Sequence, residues 1–87
     1  MCTTIAGKAP VSGSGKGAAG WFTVDQVYVG YDHPYHAPLE HALSLDFVNE
    51  AAGPGARVAV ELDRESARTL AHRILATLEE ADAYEER

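Results

Sequence analysis

Two periods of hydrophobic spacing divide this chain. From Trp21 to Tyr31 most positions are aromatic or β-branched, with Phe22 and Val24 on one parity and Val27, Val29 and Tyr31 on the other. That composition predicts a strand. The parity changes near Asp25 and Gln26, which predicts either a bulge or a strand covered on both sides. Arg57 to Leu62 alternates cleanly, Val58, Val60 and Leu62 inward against Arg57, Ala59 and Glu61 outward, a strand with one wet face. The stretch between is ambiguous: Leu39, Ala42, Leu43 and Phe47 fit a helical stripe, while His41, Leu43, Leu45 and Phe47 alternate with Ala42, Ser44 and Asp46. Strand alternation is the better description, because it sorts apolar from small and polar residues. Asn49 to Gly55 then forms a turn around Gly53-Pro54-Gly55.

After Asp63 the period lengthens to that of a helix. Ala67, Leu70, Ala71, Ile74, Leu75 and Leu78 share one face, and Arg68, His72, Arg73 and Glu79 take the other. Asp63 is a ready N-cap and Glu65 suits the first turn. A helix from about Arg64 to Ala81 is roughly 27 Å long, and the acidic tail from Glu79 to Arg87 is expected to fray.

The N-terminal part carries less pattern. Thr3, Thr4 and Ile5 favour a short first strand within Cys2 to Ala9, ended by Pro10. The Gly- and Ser-rich run from Val11 to Gly20 is expected to be a loop. Lys16 among glycines suggests a phosphate-binding loop, but Gly17 follows it where Ser or Thr is needed, and a strand follows where a helix is needed. The predicted order is strands followed by one helix, joined by short connections. This defines an α+β domain, 1–87, in which an antiparallel β-meander of three to four strands packs on one C-terminal α-helix. One helix leaves one sheet face uncovered, and Trp21, Phe22 and the valines make a homodimer or higher homo-oligomer the expected state.

Composition narrows the partners. With 87 residues, of which 46% are hydrophobic, the chain buries only about 60 to 65% of its unfolded surface, so a metal or a partner subunit is a natural source of further stability. A formal net charge of −6 repels phosphate backbones and argues against nucleic acid. No apolar run reaches the roughly 18 residues of a membrane span, and the start lacks a signal-peptide pattern. A single cysteine, Cys2, agrees with a reducing cytosol.

Candidate chemistry concentrates between Tyr31 and His41, which hold three of the four histidines, Asp32 and Glu40, with Pro34 and Pro38 interrupting regular structure. The spacing of His33, His36 and His41 allows three neutral imidazoles from a pinned loop to converge on a transition metal such as zinc or iron. Cys2 as a thiolate closes a four-ligand site, while Asp32 or Glu40 ligates or orients a histidine. Removal of Met1 would expose a Cys2 amine and thiol able to chelate a metal or trap an aldehyde, whereas with Met1 in place only the thiol remains. The bland alternative gives the three histidines turn and loop roles, and His72 a solvated place on the polar helix face. A metal-free acid–base pair, Asp32 with His33 or His36 with Tyr35 and Glu40, is a further option for a small carbonyl substrate.

Several motifs together carry a resemblance: Met-Cys-Thr at the start, Lys16 to Phe22, Tyr31-Asp32-His33-Pro34 with His36-Ala37-Pro38 and Glu40-His41, and Gly53 to Leu62. Over nearly the whole chain up to the helix, the sequence resembles a family of small actinobacterial proteins of unknown function. That resemblance implies a bacterial, cytosolic origin and supplies no catalytic residues. Two functional expectations follow from the residues themselves. The first is a small metal-binding protein with a His-rich loop site, with catalysis at an oligomer interface as an option. The second is a non-catalytic accessory or assembly subunit that binds a protein partner through its sheet face.

Overall fold

The structure is a computed structural model and describes residues 5–86. Among these residues four strands, β1 (Ile5–Gly17), β2 (Gly20–Asp32), β3 (Ala42–Val48) and β4 (Arg57–Leu62), form one antiparallel sheet in the order β1-β2-β3-β4. A single 3-10 turn (Glu50–Ala52) links β3 to β4, and the helix α1 (Arg64–Glu85) ends the chain. This is the α+β meander that the periodicity predicts.

The registers assign the faces. Val27 pairs with Phe47 and Phe47 with Val58; Val29 pairs with Leu45 and Leu45 with Val60; Tyr31 pairs with Leu43 and Leu43 with Leu62. Directly paired residues project to the same side of a sheet, so these rows build one apolar face. The opposite face carries Tyr28, Asp46, Arg57 and Glu61, where the Arg57 Nε donates to both Asp46 oxygens at 2.8 Å and the Tyr28 hydroxyl donates to Glu50. The Asp46 contact raises the Arg57 pKa, and the hydrogen bond to Glu50 raises that of Tyr28. The predicted irregularity in β2 is present. Pairing with β1 shifts between Pro10 and Gly13, and Val24 and Val27 are both buried despite their odd spacing. A side-chain carbon at Gly15 would meet Val24, Phe22 and Val58 together, so the bulge returns the second half of the hairpin to the apolar side.

Two boundaries differ from the sequence reading. The first strand does not stop at Pro10, and the glycine-rich run is no loop: β1 continues to Gly17, and only Ala18 and Ala19 turn before β2. An edge strand tolerates proline where its N–H would face solvent, and Pro10 sits at the bulge. The strong β2 partner holds a segment whose own composition is indifferent to strand formation. Cys2, Thr3 and Thr4 lie outside the described residues. At the other end α1 does not fray at Glu79 but runs to Glu85, with Asp63 accepting from the Ser66 N–H at 2.7 Å as the predicted N-cap.

The core is thin. Its buried hydrophobic residues are Val24, Val27, Ala42, Val48 and Ala56. Ala67 is half-buried, and every other residue of α1 is exposed, including Leu70, Ile74, Leu75 and Leu78 at 40 to 60%. The helix meets the sheet near its first turns and then stands off it.

Candidate functional site

The nine-residue connection from β2 to β3 is held by one acid. Glu61, on the polar face of β4, accepts backbone N–H groups from Tyr35 at 2.6 Å, His36 at 3.0 Å and Ala37 at 2.8 Å. Three N–H donors favour the charged carboxylate, and the Ala37 and Tyr35 bonds hold its pKa below the usual range. Pro38 cannot donate, and the chain turns about it through a Leu39 N–H to Ala37 carbonyl bond of 2.8 Å, an i→i+2 turn.

The histidines divide between the two sides of the sheet. His33 and His41 continue the Tyr31 and Leu43 rows just past the last pair, Asp32 with Ala42. Their rings stack with centroids 4.7 Å apart and planes inclined by 25°, and His41 also stacks on Tyr31 at 5.5 Å and 18°. The order Tyr31, His41, His33 therefore forms a short aromatic stack at the end of the apolar face. Asp32 accepts the His33 N–H at 2.7 Å, and the His33 Nδ1–H donates to the Glu40 carbonyl at 2.8 Å, since a carbonyl oxygen can only accept. His36 is tethered through its backbone to Glu61, on the opposite face.

The expected convergence is thus partial. His33 and His41 come together, with Asp32 and the Glu40 backbone beside them. Imidazole lone pairs lie in the ring plane, so stacked rings present their edges, not their faces, to a ligand. Among the described residues no three His, Cys, Asp or Glu side chains group as a shell for an ion, and Cys2 lies outside them. Sequence reasoning missed Glu61. It reads as one more outward acid in an alternating strand, and nothing in its spacing signals a loop 24 to 26 residues earlier.

A second feature is larger. The apolar face and the stripe of α1 look at each other across an open cleft of about 740 Å³, floored by Val29, Leu43 and Leu45 and walled by Leu70, Ala71 and Ile74. Arg64 and Arg68 stand at its helical rim. No helix among the described residues is long and apolar enough to cross a membrane.

Fold and surfaces define a small α+β protein with a sheet, a helix that stands off it and an open apolar cleft between them. The chain belongs to DUF6295, a family of unknown function, whose profile matches residues 1–87. No curated protein and no solved structure matches it.

Proposed function

We propose that this protein is a non-catalytic assembly subunit whose apolar cleft is closed by protein in its working state. The observation that carries this reading is the mutual exposure of two apolar surfaces: Val29 and Val60 on the sheet are 38% and 37% exposed, and Leu70, Ile74, Leu75 and Leu78 on the helix are 40% or more. A contiguous apolar surface in a small chain marks an interaction site. The family motifs and the lone cysteine support a bacterial, cytosolic setting.

The test is a comparison of two variants in the native assembly, read by mass under non-denaturing conditions. Val29→Asp puts a charge on the cleft floor and should release the partner. The triple change His33→Ala, His36→Ala, His41→Ala should leave assembly intact. The reverse pattern overturns the reading.

One observation supports a second reading, a metal site. A metal-binding histidine is usually oriented through its other ring nitrogen by a backbone carbonyl, as the Glu40 carbonyl does for His33. Zinc or iron would take His33 and His41, with Cys2, outside the described residues, as a further ligand. Elemental analysis of untagged protein tests this, and a substoichiometric content with melting unchanged by chelator overturns it.

A further inference from the structure

Beyond its capped first turn, the charges along α1 are segregated into a basic half and an acidic half. Its first half carries Arg64, Arg68 and Arg73 against one acid, Glu65, while its last turns carry Glu79, Glu80, Asp82 and Glu85 with no basic residue in the final turn. The helix dipole favours acids at the N-terminus and bases at the C-terminus. Asp63 and Glu65 comply with it at the start, but the acidic last turns oppose it. The pattern is self-complementary, however: two copies laid antiparallel bring each basic half against an acidic half, and antiparallel dipoles attract.

We propose that the partner in the cleft is a second copy of this chain, paired helix to helix and antiparallel about a two-fold axis between Ile74 and Leu75. That axis bisects Arg64–Glu85. It sets Ile74 opposite the partner's Leu75, Ala71 opposite the partner's Leu78 and Arg64 opposite the partner's Glu85. Each stripe then covers the leucines and isoleucine that its own sheet leaves exposed, and the contact is isologous, so it closes at two copies. The same charges argue against the other occupants. A net charge of −6 opposes nucleic acid, and an acidic helix end opposes an anionic membrane surface, which selects Lys- and Arg-rich polar faces. This proposal rests on the assembly reading and adds to it the identity and direction of the partner.

Sedimentation velocity on the purified full chain tests it. The expected species has twice the 9.3 kDa chain mass and dissociates as salt is raised, since the charge pairs lie at the rim. Two charge-reversed variants follow: Arg64→Glu with Arg68→Glu, and Asp82→Arg with Glu85→Arg. Each should self-associate at least tenfold more weakly than the parent, while an equimolar mixture should recover the dimer. Both sets of changes run with the helix dipole, so neither weakens the helix itself, and circular dichroism should show unchanged helicity. Direction is read in a Cys2→Ser background. Oxidising a mixture of Arg64→Cys and Glu85→Cys chains should yield the 64–85 disulfide, whereas a 64–64 product overturns the antiparallel arrangement. A monomeric parent chain, or a charge-reversed variant that dimerises as the parent does, overturns the proposal. If the parent is monomeric and Val29→Asp still releases some other protein, the self-pairing fails and the assembly reading stands; if Val29→Asp has no effect on any assembly, both fail.

Discussion

Glu61 receives the backbone N–H of Tyr35 at 2.6 Å, a contact spanning 26 residues of sequence. With the bonds from His36 and Ala37, it makes one carboxylate the fastening point of the connection that carries the candidate histidines. The polar face of the sheet therefore has a structural task, and the apolar face is left partly exposed beside the cleft.

Replacing Glu61 with alanine should free the connection without unfolding the sheet. Amide hydrogen exchange at Tyr35, His36 and Ala37 is expected to accelerate by an order of magnitude or so, while Val27 and Leu45 in the central strands keep their protection. Equal acceleration at both places would show that the contact supports the whole fold and not the loop.

Acid should loosen the same fastening. The pKa of Glu61 is lowered by the N–H groups of Ala37 and Tyr35, and that of Asp63 by the Ser66 N–H at the helix cap. A carboxylate whose folded pKa lies below its unfolded one binds fewer protons when folded, so its contribution is full above the unfolded value and is lost as pH falls through the folded value. The thermal midpoint should therefore drop as pH falls below about 4.5, near the ordinary glutamate value. The gap between the parent and Glu61→Gln, measured by thermal melts across pH 3 to 7, should close over the same range. A gap that is constant with pH would remove Glu61 as the titrating group.

Two glycines of β1 should respond oppositely to alanine. At Gly15 the added carbon would lie 3.1 Å from Val24 Cγ2 and 3.5 Å from Val58 Cγ2, whereas at Gly13 nothing lies within 4 Å. Crowding a packed contact costs about 1 kcal/mol or more, and a glycine replaced where there is room gains about 0.4 to 1 kcal/mol through the unfolded chain. Gly15→Ala should lower the urea midpoint and Gly13→Ala should raise it. Equal shifts would mean that the second half of β1 does not pack on Val24.

The part of this fold that was legible in the sequence is the part whose cause is local. Arg57–Leu62 matches its predicted limits, and Asp63 caps α1, because strand alternation and an N-cap are written in adjacent residues. β1 was hidden because glycine, serine and proline carry no strand signal. Its order comes from pairing with β2, as in Gly15 with Phe22. At the candidate site, the meeting of His33 and His41 follows from the histidine segment closing the β2–β3 connection. The separation of His36 does not, since it depends on Glu61, which is distant in sequence. The acidic end of α1 reads as a fraying tail because terminal segments commonly fray, yet the helix continues to Glu85.

The stack of His33 on His41 yields the sharpest separation between packing and ligation. Both rings lie at the end of the apolar face, and His41 is held between Tyr31 and His33. An aromatic pair of this kind contributes about 0.5 to 1.5 kcal/mol beyond its buried area. If the stack serves packing, His41→Phe should keep that contribution, and His41→Ala should lose it and melt several degrees lower. If His41 ligates an ion, both changes remove the only donor nitrogen the ring can offer. Phenylalanine and alanine variants would then lose metal alike, and added zinc would raise the melting temperature of the parent alone. The ring is half-buried, and its flat contacts on two sides are reproduced by a phenyl group, so the phenylalanine variant is expected to melt within a degree or two of the parent.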